Sequence, residues 1–122
     1  MPLLRTGIDL VEISRLESLN PAIRNRFLER VFTPRELADA QDRWDTLSGR
    51  FAAKEAVVKA LGCGIGPVAW REIEILRGEQ GEPVLNLSGE ALRSATTQGL
   101  NTWSISISHT RAFAVAVAVG AG

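Results

Sequence analysis

A chain of 122 residues with 45% hydrophobic content holds enough apolar side chain for the core of one domain, spanning residues 1–122, and little more. Its 14 basic residues cancel its 14 acidic ones, which excludes a general pull on nucleic acid or anionic membrane and leaves any charged partner to a local patch. The one cysteine, Cys63, excludes an internal disulfide, and the one histidine, His109, excludes a His/Cys metal cluster.

From the amino terminus, "LLRTGIDLVE" (3–12) alternates as a strand, with Leu4, Ile8 and Leu10 on one face and Gly7, Asp9 and Val11 on the other. Asp9 therefore interrupts a strand rather than decorating a loop. No apolar run of signal-peptide length precedes it, and "AFAVAVAV" falls far short of the ~20 residues that cross a bilayer, so a soluble cytoplasmic protein is expected. Ser14 and Glu17 read as a capping box with a short helix to follow, and Asn20–Pro21 opens a second helix. A third is capped by Thr33 with Pro34 and Glu36, and is expected to carry Leu37, Ala40, Gln41 and Trp44 along one side.

"RFAAKEAVVKALGCGIG" (50–66) reads as a helix running into a glycine loop. Residues 51–61 are apolar around almost the full circle, which marks a buried helix. Glu55 and Lys59, four apart, would on an exposed helix be an ordinary surface pair. Against that, the chain has twelve arginines and only two lysines, Lys54 and Lys59, both here. A compact ammonium on a flexible stem suits a phosphate oxygen. Gly62, Gly64 and Gly66 end the helix and let backbone approach a ligand, and Pro67 forbids its continuation. The loop is neither a Walker motif nor a dinucleotide fingerprint, and by itself is a C-cap.

"WREIEILR" and "PVLNLS" then form a hairpin, "GEALRSATTQG" a helix ended by Gly99, and "TWSISISHT" and "AFAVAVAV" two strands joined through "HTRA". The last strand sends Phe113, Val115, Val117 and Val119 one way and Ala114, Ala116 and Ala118 the other, and an all-alanine face admits close approach by the buried helix. Asp9 and Glu55 are a possible pair of carboxylates, and magnesium is characteristically held by one or two carboxylates together with substrate phosphates. Spacing does not establish that they meet. His109, before Thr110 and Arg111, is either a turn histidine or a contact to an anion.

These segments, in this order, resemble the holo-acyl-carrier-protein synthases, the short-chain branch of the phosphopantetheinyl transferases. The likeness covers "GIDLVEISRLE", "RFLERVFTPRELA", "GRFAAKEAVVKALGCGIG", "WREIEI", "GEPVLNLSGEA" and "SISISHTRAFAVAVAV", of which the first and third are the most specific. It implies an α+β fold of the phosphopantetheinyl-transferase type, with an antiparallel sheet packed on a long buried helix and a site formed between subunits of a homotrimer. The implied reaction moves phosphopantetheine from coenzyme A to a serine of an apo acyl carrier protein, in fatty acid biosynthesis, and releases adenosine bisphosphate. By the same resemblance Asp9 and Glu55 bind Mg2+, and with Lys59 they are the catalytic residues. Lys54 and Lys59 neutralise coenzyme A phosphates, Arg50, His109 and Thr110 hold the nucleotide end, and Gly62, Gly64 and Gly66 admit it. His109 and Thr110 are expected on the neighbouring subunit. Since the chain has no histidine besides His109, the serine proton is expected to go to a metal-bound water or to a carboxylate beside it.

The segment 15–35 holds five arginines against Glu17 and Glu29, so the carrier protein is expected there, at Arg15, Arg24, Arg26 and Phe27. The resemblance implies that Arg15 and Arg26, with Phe27 beside them, meet an acidic helix of the carrier, and binding should weaken steeply with salt. Solvated helix faces are the plainer reading of the same residues. The chain departs from the family in Cys63, where threonine is common, and in a short tail after Val119. The rival reading is a nonenzymatic module that binds nucleotide or carrier protein on the same fold.

Overall fold

The computed structural model describes residues 3–122. The elements run β1 (Leu4–Glu12), α1 (Ile13–Glu17), α2 (Pro21–Val31), α3 (Pro34–Ala40), α4 (Trp44–Leu61), a 3-10 turn (Trp70–Glu72), β2 (Ile73–Arg77), β3 (Pro83–Leu87), α5 (Gly89–Gln98), β4 (Thr102–His109) and β5 (Phe113–Ala121). β1, β5 and β4 form an antiparallel sheet in that spatial order, and β2 and β3 form a separate hairpin. The fold is α+β, with the three-stranded sheet laid on α4.

The alternation of β5 decides how close sheet and helix come. Ala114, Ala116 and Ala118 are fully buried against α4, where larger side chains would hold the helix away. In register beside Ala118 lies Gly7 of β1. A Cβ at Gly7 would overlap the carbonyl oxygen of Ala56 and lie 2.9 Å from the amide nitrogen of Ala60, so β1 rests directly on the backbone of α4. Gly7→Ala should therefore cost about 3 kcal/mol, the upper end of overpacking, read as a lower denaturant midpoint at unchanged slope. An unchanged midpoint would mean that β1 and α4 do not touch in this way.

The capping signals divide. Asn20 accepts from the Ala22 amide at the head of α2, and Thr33 and Glu36 form the expected reciprocal box on α3. Ser14 is not a cap: α1 already begins at Ile13, and the Ser14 hydroxyl donates to Glu12 within the surface turn. Nor does α3 reach Gln41 and Trp44, because Gln41 and Asp42 take left-handed backbone (φ 52° and 60°), and the chain restarts at Trp44 as α4. That helix is thus longer than the 51–61 segment that its apolar run marks out.

The opposite face of the sheet is largely apolar along β1 and β5, gives way to serines on β4, and is uncovered. Leu4, Ile8 and Leu10 of β1 are 62%, 59% and 63% exposed, and Phe113 and Val117 of β5 are exposed beside them. Val117 sits in register between Ile8 and Ser106, at the middle of this face.

Candidate active site

Asp9 projects from the inner face of β1, one residue pair beyond Gly7, and meets α4 where Glu55 and Lys59 share an edge one turn apart. The Lys59 ammonium donates to Asp9 Oδ1 at 3.1 Å and to the Ile8 carbonyl at 2.9 Å. Of its three protons, one remains for a ligand, and the side chain is half exposed. Burial first, and then the charge of Asp9, hold the Glu55 carboxyl above the ordinary carboxylate range, with Lys59 opposing. The structure thus brings Asp9 of the first strand to Glu55 and Lys59, which lie more than forty residues further along the chain. Two carboxylates with a cation beside them fit a divalent ion that keeps water and takes its other ligands from a phosphate substrate. No cluster of three or more His, Cys, Asp or Glu exists among the described residues, so an all-protein cage is not what this donor set builds.

Lys54, expected at a coenzyme A phosphate, is elsewhere. It is fully buried, and its ammonium donates to Glu36 Oε1 (2.8 Å), the Ile73 carbonyl (2.6 Å) and the Trp70 carbonyl (3.1 Å). All three protons are used inside the fold, and burial pushes this lysine below its ordinary value while Glu36 opposes the shift. Arg50 is corrected likewise. It is 7% exposed, donates to the Ile75 carbonyl at 2.8 Å and lies 3.8 Å from Asp39. Glu36 also accepts from the Ile75 amide, and Asp39 from the Arg77 amide. The edge of β2 that does not face β3 is thereby bonded to side chains of α3 and α4 instead of a third strand.

His109 and Thr110 stand at the other side of the sheet. His109 ends β4 and Asp9 lies on β1, with the whole of β5 between the two strands and α4 over their inner face. His109 Nε2 is 3.9 Å from Asp45 Oδ2, in an open groove of about 680 Å³ that also takes in Asp42, Arg43, Trp44, Thr110 and Arg111. Slight burial raises the Asp45 carboxyl, but Thr46, Arg43 and His109 outweigh it and hold the group below its usual range. The Thr110 hydroxyl accepts from the amides of Ala112 and Phe113, which fixes the turn. Within one chain, then, His109 and the Asp9–Glu55 pair do not share a pocket.

Gly62, Gly64 and Gly66 follow α4 with φ of 75°, 70° and 125°, values that any Cβ would strain, and open space surrounds each. Arg15 is exposed on α1, and Arg24 and Arg26 lie on α2. Arg26 and Phe27 line an apolar groove of about 400 Å³ with Ile23, Arg30, Phe51 and Trp70. Phe51 links Phe27 and Trp70, with ring centroids 5.2 Å apart on each side. Sequence reasoning missed Phe51 and Trp70, whose signal was present: two aromatics on segments otherwise read as core helix and strand.

The profile of the 4′-phosphopantetheinyl transferase superfamily matches residues 5–118 of this chain. A holo-[acyl-carrier-protein] synthase of Natranaerobius thermophilus is 44% identical over 116 residues, covering 93% of each chain. The crystal structure of the Helicobacter pylori holo-[acyl-carrier-protein] synthase in complex with coenzyme A is similar with a TM-score of 0.85 at 35% identity, over 94% of this chain and 98% of that one. The Bacillus anthracis holo-(acyl-carrier-protein) synthase in complex with coenzyme A (3′,5′-ADP) gives a TM-score of 0.80 at 33% identity, over 100% and 99%.

Proposed function

Because the chain belongs to the 4′-phosphopantetheinyl transferase superfamily, we propose that its reaction takes place at Asp9, Glu55 and Lys59 of one subunit, beside His109 and Thr110 of another. The activity is that of a holo-acyl-carrier-protein synthase: phosphopantetheine passes from coenzyme A to a serine of the apo carrier protein. A bond forms between the serine oxygen and the phosphorus nearer the pantetheine. The bond from that phosphorus to the bridging pyrophosphate oxygen breaks, adenosine bisphosphate departs with the electron pair, and the serine proton passes to a carboxylate of the Asp9–Glu55 pair, directly or through water.

The observation that carries the site is the meeting of two carboxylates with a half-free lysine where β1 rests on α4. Asp9 and Glu55 hold Mg2+, which when bound withdraws charge from the pyrophosphate oxygens. Lys59 is oriented by the Ile8 carbonyl and by Asp9 and turns its remaining proton to a phosphate oxygen, so that charge building on the leaving group is met by a fixed cation. The glycine loop that ends α4 lets backbone amides approach the same ligand.

The uncovered apolar face of the sheet supports assembly, since a chain this small gains by burying it against copies of itself. In a homotrimer, a neighbour supplies His109 and Thr110, with its open groove, to the nucleotide end of coenzyme A. The groove on α2, with Arg26 and Arg30 flanking an apolar floor, takes the acidic, partly apolar surface of the carrier protein, and Arg15 and Arg24 extend the basic field. No helix among the described residues is long and apolar enough to cross a membrane.

Intact mass of a purified apo carrier protein, after incubation with this protein, coenzyme A and magnesium, tests the reading directly. A gain of one phosphopantetheine that chelator abolishes is expected. A gain unaffected by chelator would remove the metal from the site, and no gain on a carrier that another transferase modifies would leave a binding module.

A further inference from the structure

Glu36, Arg50 and Lys54 are buried between α3, α4 and β2 and, with the partly exposed Asp39, form a charged layer that the reaction as described does not use. Attraction between the charges does not by itself account for it. Buried ion pairs can often be exchanged for apolar residues of similar volume at no net loss, because desolvation offsets the attraction. What apolar residues cannot do is hold several hydrogen-bond acceptors at fixed positions. Lys54 holds three: Glu36, Ile73 and Trp70, at 2.6 to 3.1 Å.

Two of the contacts of Lys54 lead to the two halves of the site. Its ammonium donates to the carbonyl of Trp70, whose ring packs tilted against Phe51 and lines the α2 groove with Arg26 and Arg30. Its backbone is joined to Glu55, which lies about 100° further round the same helix and faces Asp9. On the α3 side, Glu36 accepts from the Thr33 and Ile75 amides as well as from Lys54, so the layer also fixes the azimuth of α4 against β2. A rotation of α4 that Lys54 resists would move Phe51 and the Glu55 carboxylate together, and a misplacement near 1 Å is enough to cost about 100-fold in rate.

We propose that Lys54 is a positioning residue that holds the carrier-protein groove, through Trp70, at a set distance and angle from the Asp9–Glu55 pair. The inference rests on the reading above of that groove and of that pair. It assigns the lysine next to Glu55 to aligning the two substrates instead of contacting either.

Lys54→Met keeps the stem and removes the charge, while Glu36→Gln keeps the shape and one acceptor oxygen, enough for one of the two backbone amides that Oε1 and Oε2 now take, and leaves no anion for the ammonium. Each variant is taken through a thermal melt, a Mn2+ titration in the presence of coenzyme A, and steady-state kinetics with the apo carrier protein varied. Below its melting temperature, Lys54→Met is expected to bind Mn2+ about 10- to 100-fold more weakly and to show a carrier KM raised by a similar factor, the usual scale for losing a group that orients a ligand. Glu36→Gln should shift both quantities in the same direction, and it decides the matter should Lys54→Met not fold. A lowered melting temperature with Mn2+ affinity and carrier KM at wild-type values overturns the proposal, for that is what a merely structural layer gives. Asp9→Asn and Arg26→Ala on the otherwise unchanged chain separate the two levels. If these leave Mn2+ binding and carrier KM unchanged, the assignment of pair and groove itself fails, and the positioning role falls with it.

Discussion

Asp9→Asn is expected to lower turnover by about 100- to 1,000-fold and to raise the magnesium concentration needed for half-maximal rate, while leaving the fold intact. The substitution keeps the size of the side chain and removes one of the two charges available to a cation. Stability should change little, because the partner of Asp9, Lys59, is half exposed, and exposed pairs contribute about 0–1 kcal/mol. Glu55 loses the like charge that, after burial, holds its carboxyl above the ordinary range. The measurement is a metal titration of the initial rate at saturating coenzyme A, with a melt as control. Full turnover at unchanged metal dependence would remove Asp9 from the site.

The second large effect is expected from the uncovered sheet face. Val117→Glu places a charge at its centre, in register with Ile8, and burying that charge against another subunit would cost more than the apolar contact returns. The variant should run as a monomer in light scattering and lose nearly all turnover, although its own Asp9, Glu55 and Lys59 are untouched. A misfolded chain would lose turnover as well, so subunit mixing sharpens the test. Asp9→Asn and His109→Ala chains, each weak alone, should regain activity when dissociated and reassembled together, because some mixed sites then combine an intact Asp9 with an intact His109. No recovery would mean that His109 and Asp9 do not serve the same site.

The sequence made the strand through Asp9, the buried helix and the alanine face of β5 legible, because each follows from periodicity within one segment. The closeness of β1 to α4 was visible only as a small residue at position 7, since nothing local says that the backbone of Ala56 lies beneath it. The meeting of Asp9 with Glu55 came from the resemblance, as spacing cannot join residues on a strand and a distant helix. Lys54 went wrong for a physical reason that the helix itself contained. It precedes Lys59 by five residues, about 140° around the axis, so the two lysines could not face one ligand. Its partner Glu36 had been fully accounted for by the capping box, yet a carboxylate has room for more than one donor, and this one takes three. The face of Leu4, Ile8 and Leu10 reads as core by composition and is bare in the single chain, because alternation marks an apolar face without saying what covers it.

A hairpin of two short strands normally leaves two open edges, and each is a template on which a strand of another molecule can grow. In β2 the outward groups are already occupied: the Ile73 carbonyl by Lys54, the Ile75 amide and carbonyl by Glu36 and Arg50, and the Arg77 amide by Asp39. An intruding strand would have to strip charged side chains from these groups and leave the charges buried without partners. The layer therefore closes this edge to fibril-like stacking at the high local concentrations met during synthesis and assembly.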